Sequence, residues 1–240
     1  MATKVDPSPW LRDGEEKRQS VRAMFAEIAP TYDLVNSMMS LRLHYRWRSI
    51  AVKSLSLQPG DSALDVCCGT GDFLLPLRQA VKAEGQLMGV DFCFPMLQVA
   101  LKKPAVDAGL AVADACCLPL ASQVFDGVTV GWGLRNVPSI EKALSEAHRV
   151  LKSGGRFVSL DMARPKGVFG AVSELVFHHA VPFLGSLFGK RAAYTYLPKS
   201  TLRFLAPEDL MSELESVGFV KVWKKALFFG NIAIVGGQKP

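Results

Sequence analysis

The stretch Ala63-Leu64-Asp65-Val66-Cys67-Cys68-Gly69-Thr70-Gly71-Asp72 decides the fold. From Ala63 to Cys68 it is apolar apart from one acid, the composition of a strand buried on both faces of a parallel sheet. It then breaks into a turn bracketed by Gly69 and Gly71, which lack a Cβ and let a ligand lie against backbone N–H groups. Asp72 reads as the cap of a helix from Phe73 to Val81. Strand, glycine turn and helix make a nucleotide-binding corner, and the spacing decides which nucleotide. A dinucleotide fingerprint needs a third glycine where Leu74 stands, so that reading weakens. The next strand, 86 to 90, ends in Asp91, twenty residues beyond Gly71, where a carboxylate accepts both hydroxyls of a ribose. The plain alternative is a turn and a solvated acid with no ligand.

Outward from this corner the chain alternates. Toward the N-terminus, 15 to 29 carries Val21, Met24, Phe25 and Ile28 at helical spacing and stops at Pro30, with Lys17, Arg18 and Arg22 on the other face. A second helix over 43 to 55 turns Trp47 and Ile50 inward and adds Arg46, Arg48 and Lys53. Two helices thus precede the first strand, 61 to 68. Downstream the pattern predicts helix 73 to 83, strand 86 to 91, helix 94 to 103, strands 110 to 113 and 124 to 131, helix 139 to 151 and strand 156 to 161. Helix 207 to 217 and two strands, 219 to 228 and 231 to 237, close the chain as an antiparallel hairpin around Gly230-Asn231. The fold class is α/β, an open, mostly parallel sheet with helices on both faces. One domain spans 15 to 240 after an N-terminal arm, 1 to 14. Within it lie N-terminal helices (15–58), a ligand-binding core (59–163), a lid region (164–205) and the closing helix and hairpin (206–240). Residues 168 to 188 are unusually apolar but are interrupted by Glu174, His178, His179 and Pro182, so a helix over the sheet edge and a lid over an apolar ligand both fit, and a membrane span does not.

Composition bounds the rest. At 240 residues with 49% hydrophobic content and a mean hydropathy of +0.19, one sizeable core suffices. The start lacks an apolar signal region, and the chain reads as cytoplasmic. Five cysteines at 67, 68, 93, 116 and 117, with no C-x-x-C, read as reduced small hydrophobes, and no metal site is expected. The net charge of +6 admits nucleic acid, an anionic membrane surface or neither.

Ligands of such sheets sit outside the carboxyl ends of the strands. There the sequence places Asp65 to Asp72, Asp91, Asp114 and Gly131 to Asn136. Three carboxylates with no Ser-His or metal cluster suit a cationic adenosine compound better than hydrolysis, and S-adenosylmethionine is such a compound.

At these residues the chain resembles a class I methyltransferase with its Rossmann-like sheet, and more closely the ubiquinone/menaquinone biosynthesis C-methyltransferase family. Tyr32-Asp33-Leu34-Val35-Asn36, with Ser37, His44 and Trp47 downstream, is similar to that family's first signature, Val35 replacing its methionine. Gly133-Leu134-Arg135-Asn136-Val137 matches its segment after strand four, and Arg149-Val150-Leu151-Lys152-Ser153-Gly154-Gly155 resembles a third motif, with Ser153 in a proline's place. The resemblance implies S-adenosylmethionine as cofactor, held by Asp65, Gly69, Thr70, Gly71, Asp91, Asp114, Ala115 and Gly131. Relatives carry serine where Gly131 stands. It implies a prenylated hydroquinone as acceptor, with Arg135, Asn136 and Tyr32 at the chemistry and Asn36, His44 and Tyr196 toward the substrate. Asp161 and Ala163 depart from the family's E-x-S at the end of strand five. Peripheral contact with an anionic membrane follows from a prenyl tail, no nucleic acid is expected, and a homodimer is left open.

Plainer readings stand beside these. Tyr32, Asn36 and His44 also serve as ties between the N-terminal helices and the core, Arg135 and Asn136 as an ion-paired turn, and the basic helix faces as solvated surface. The rival enzyme is a nucleic-acid methyltransferase, which the basic balance allows. However, Gly131-Trp132-Gly133 stands where amino-group base methyltransferases carry N-P-P or D-P-P. A catalytically silent cofactor-binding protein would keep the glycine turn without needing Arg135-Asn136.

Overall fold

The computed structural model describes residues 14–103, 107–164, 200–201 and 204–240. The arm before residue 14, the apolar stretch 168–188 and Tyr196 lie outside them. Strand β1 (Ser62–Val66) stops two residues short of the expected end, because Cys67 takes a left-handed φ of 58° and leaves the sheet. Around it α1 (Gly14–Ile28), α2 (Tyr32–Met39), α3 (Leu43–Leu55), α4 (Leu74–Val81), β2 (Gln86–Asp91), α5 (Phe94–Ala100), β3 (Gly109–Val112), β4 (Phe125–Gly131), α6 (Ile140–Val150), β5 (Leu151–Met162), α7 (Pro207–Ser216), β6 (Val220–Leu227) and β7 (Ile232–Gln238) follow in order. Among the described residues three helices, not two, precede the first strand. Pro30 ends α1, but its fixed φ also suits a helix start, so a short 3₁₀ turn at Ala29–Thr31 carries the chain directly into α2.

Among the described residues the sheet has seven strands in the order β3-β2-β1-β4-β5-β7-β6. β3 through β5 run parallel, β7 is antiparallel to β5, and β6 pairs antiparallel with β7 as the expected hairpin. Alternate residues of the central strands face opposite layers. Leu64, Val66, Val128, Val130 and Phe157 pack under α6 and α7, whereas Ala63, Val158, Leu160 and Ile234 pack under α3 and α4. A third cluster joins Val21, Met24 and Ile28 of α1 to Met96 of α5. Since β1 connects outward to β2 and β3 and the chain returns to β4 on β1's other side, the order reverses between β1 and β4. That reversal opens a crevice at their carboxyl ends.

Candidate active site

The crevice is a cleft of about 640 Å³ of empty space including its open mouth. Cys67 and Gly69 come to it from the turn after β1, and Asp91 and Phe92 from the end of β2. Ala113, Asp114 and Ala115 follow β3, and the run from Gly131 to Gly133 with Asn136 follows β4. Arg18 and Phe25 of α1 and Tyr32 of α2 close the near side.

The turn is built by local backbone rules. Gly69 and Gly71 sit at φ of 55° and 81°, where a side chain would be strained. The Gly69 N–H donates to Asp91 Oδ2 and the Cys93 N–H to Asp91 Oδ1, both at 2.8 Å. Burial pushes the Asp91 carboxyl up to about 6 against the pull of those two N–H groups. Leu74, wholly buried, fills the space beside Gly71 together with Ala100. Asp72 does not cap α4, which begins after Phe73 with no side-chain cap. Its carboxylate is drawn away by charge. Lys103 Nζ lies 2.6 Å from Oδ1 and Arg48 Nη2 3.3 Å from Oδ2. Burial works to raise Asp72, but Arg48 and Lys103 outweigh it and hold the carboxyl below its usual range.

Seven of the residues singled out by sequence meet around this cleft: Gly69, Asp91, Asp114, Ala115, Gly131, Tyr32 and Asn136. Asp114 Oδ1 accepts from the Cys116 N–H at 2.9 Å while Arg18 approaches Oδ2 at 3.5 Å. Others are placed elsewhere. Asp65 is paired in register with Thr129 of β4, whose hydroxyl donates to it at 2.7 Å. It lies buried beneath the turn, where desolvation raises it to about 7. Thr70 donates to Asp33 Oδ1 at 2.5 Å. Gly71 packs on Leu74 and Ala100 behind the turn. His44 is held between Ser37 Oγ at 3.2 Å and Arg48 Nη1. Burial and then the Arg48 charge lower it to about 4, so it is neutral and ties α2 to α3.

Arg135 is not among the residues that line the cleft; its Nη1 donates to Asp161 Oδ1 at 2.6 Å, both side chains almost wholly buried. The acid that departs from the family pattern at the end of strand five therefore anchors Arg135. Asn136 Nδ2 donates to the Trp132 carbonyl at 3.1 Å. Burial raises the Tyr32 phenol, with Asn36, Arg48 and Arg135 near enough to oppose that shift, so Tyr32 is a proton-bearing donor. A Cβ at Gly131 would run into the Phe73 ring. Phe73 thus takes up the room that a side chain at this position would need.

Sequence reading missed Trp132 and Arg48. Trp132 stands at a left-handed φ of 54° in the cleft wall, with the Arg48 guanidinium stacked 4.6 Å from its ring centre. Arg48 is buried rather than part of a basic solvated face. The signal was present, since His44, Trp47, Arg48, Ala51, Val52 and Leu55 form the buried stripe of α3. Arg18 likewise turns toward Asp114 instead of outward. Among the described residues no cluster of three or more metal-ligating side chains occurs, and the cysteines are free thiols, with Cys68 and Cys93 buried and Cys117 exposed.

Left-handed glycines for close backbone approach, with Asp91 and Asp114 on one wall, fit a cationic ligand that carries a diol. The model of the ubiE/COQ5 methyltransferase family matches residues 13–239. The chain belongs to that family. A demethylmenaquinone methyltransferase of Desulfitobacterium hafniense (strain Y51) is 39% identical over 234 residues, covering 95% of this chain and 92% of that protein. One from Staphylococcus aureus (strain JH9) is 38% identical over 233 residues, covering 95% and 97%. Among solved structures, a SAM-dependent methyltransferase of Thermotoga maritima, titled a possible histamine N-methyltransferase, superposes with a TM-score of 0.67. At 22% identity it covers 92% of this chain and 100% of that one, a likeness of fold. In this methyltransferase Tyr32 on α2 and Gly133 and Asn136 after β4 line the cleft. No described helix is long and apolar enough to cross a membrane.

Proposed function

We propose that this methyltransferase moves a methyl group from S-adenosylmethionine to a ring carbon of a prenylated hydroquinone, with demethylmenaquinol, the acceptor class in its relatives' names, as substrate. One observation carries the reading. A single cleft is walled on one side by the glycine turn, Asp91 and Asp114, and on the other by Tyr32, Trp132 and Asn136.

S-adenosylmethionine supplies a methyl group already activated on a cationic sulfur, so no protein nucleophile is required. Asp91 would hold the ribose, the Gly69 turn the methionine end, and Asp114 with Ala115 the adenine side. The chain's remaining work is to place the ring at near-attack distance, exclude water and manage charge. The acceptor carbon becomes more nucleophilic as its hydroxyl loses a proton, and the ring proton leaves afterwards to restore aromaticity. Tyr32 donates a hydrogen bond to the ring oxygens. Arg135, fixed by Asp161, stabilises the oxyanion. Because the acceptor's tail resides in lipid, the enzyme works as a peripheral partner of an anionic membrane face.

The test is single-turnover methylation of a short-chain demethylmenaquinol with cofactor affinity measured in parallel. Arg135→Ala is expected to slow transfer about a hundred-fold, as for loss of one oxyanion donor, with cofactor binding unchanged. Arg135→Lys is expected to rescue poorly, because an ammonium lacks the planar fork. A wild-type rate in Arg135→Ala, or a loss explained wholly by cofactor binding, contradicts the assignment.

A further inference from the structure

Two loops at the carboxyl rim of the sheet hold large apolar side chains outward through strained backbone. Between α2 and α3, Leu41 has a φ of 49° and is 81% exposed, and Arg42 has a φ of 63°. Between β6 and β7, Phe228 and Phe229 have φ of 46° and 55°, with Phe229 74% exposed. Left-handed conformations are uncommon in non-glycine residues, and bulky apolar ones there point to a constraint other than folding.

Both loops lie on one side of the molecule. The Phe228 ring packs 5.6 Å from that of Trp47, in the second turn of α3, and Leu41 and Arg42 immediately precede that helix. The C-terminal end of α3 reaches Gly127 near the start of β4, so its N-terminal end lies at the strands' carboxyl ends, where the cleft opens. α2 links the two features directly. Tyr32 walls the cleft at one end of it, and Leu41 follows the other, about 13 Å away by helical rise.

Basic residues stand near both tips, although Lys53, Lys221 and Lys239 lie at the opposite ends of α3 and of the β6–β7 hairpin and Arg48 is buried. Residues 34–60 contain no acidic side chain and four basic ones, Arg42, Arg46, Arg48 and Lys53. Residues 216–240 contain none and four more, Lys221, Lys224, Lys225 and Lys239. Arg42 and Arg46 are exposed beside Leu41, and Lys225 is exposed on β6 two residues before Leu227, which packs against the same layer as Trp47.

We propose that Leu41, Phe228 and Phe229 are insertion points that seat the cleft mouth on an anionic lipid bilayer, with Arg42, Arg46 and Lys225 meeting the phosphates. Apolar tips with exposed basic residues beside them fit the interfacial zone of such a bilayer. The inference rests on the proposed prenylated acceptor and names the surface by which the cleft would reach it.

The full chain is sedimented with vesicles of phosphatidylcholine alone and of phosphatidylcholine with phosphatidylglycerol, at low and high salt. The wild type is expected to bind the anionic vesicles, and Leu41→Ser/Phe229→Ser to bind at least ten-fold more weakly at both salts. Arg42→Gln/Arg46→Gln is expected to lose mainly the low-salt binding. Phe229→Trp guards against a folding artefact and is expected to retain binding. All variants are expected to keep wild-type methylation of a tailless, soluble acceptor. Equal vesicle binding by Leu41→Ser/Phe229→Ser and wild type overturns this surface while leaving membrane contact standing. Absence of wild-type binding overturns both, and soluble-acceptor turnover reports separately on the proposed reaction. A wild-type dimer that Leu41→Ser/Phe229→Ser converts to monomer, with vesicle binding unchanged, assigns the tips to a second copy and also overturns the proposal.

Discussion

Gly131 and Phe73 show how one atom decides a contact. With Phe73 buried against the end of β4, Gly131→Ser forces the ring to move, and overpacking of this kind costs about 1–3 kcal/mol. Thermal unfolding of Gly131→Ser, Phe73→Ala and the double variant checks it. The double variant is expected to be more stable than the sum of the single losses, and strict additivity would disprove the steric account. Asp91 gives a prediction in pH. Burial pushes its carboxyl up to about 6, and ribose hydroxyls donate to the ionised form. Binding therefore expels a proton below pH 6. Affinity for S-adenosylmethionine is expected to rise as pH increases from 5 to 7 and level off above, with Asp91→Asn flattening the profile. Calorimetry in buffers of different ionisation enthalpy reads the proton directly.

Four helices and the glycine turn are tied together by one ionic network, with the Arg48–Asp72 pair buried and Lys103 and Asp33 partly exposed. Arg48 of α3 reaches Asp72 in the turn, Lys103 just beyond α5 reaches both Asp72 and Asp33 of α2, and Thr70 also bonds Asp33. α4 starts from the same turn. Removing one partner of a buried pair leaves a charge uncompensated, at about 3–5 kcal/mol, whereas an exposed pair contributes about 0–1 kcal/mol. Arg48→Ala is therefore expected to destabilise far more than Lys152→Ala, whose pair with Asp126 is largely open to solvent. Denaturant unfolding compares them, and equal midpoints would show that the network carries no stability. This network also marks the limit of what sequence conveys. The strands, α3 and the closing hairpin were legible because period and glycine punctuation are local properties of the chain. Asp72 was read as a cap because its tertiary partners, Arg48 and Lys103, are 24 and 31 residues away in sequence. α2 escaped because Pro30, read as a terminator, is also part of the turn that starts the next helix.

For the whole molecule, the ordering of strands turns scattered motifs into one site. Reversal between β1 and β4 gathers the glycine turn, Asp91, Asp114 and Asn136 at a single cleft, and α1 and α2 close its side. Most of that gathering was legible, since residues at carboxyl ends of parallel strands must converge. Asp65 is not among the cleft-lining residues, its side chain accepting from Thr129 across the sheet, and Trp132 was passed over because its left-handed backbone leaves no sequence mark beyond flanking glycines. The central claim is methyl transfer to a quinol carbon in this cleft. Its most direct test is to incubate the chain with methyl-labelled S-adenosylmethionine and a short-chain demethylmenaquinol, then locate the label in the product. One labelled methyl group on the ring carbon is the result predicted, and label on oxygen, or cofactor binding with no transfer to any reduced quinone, would contradict the account.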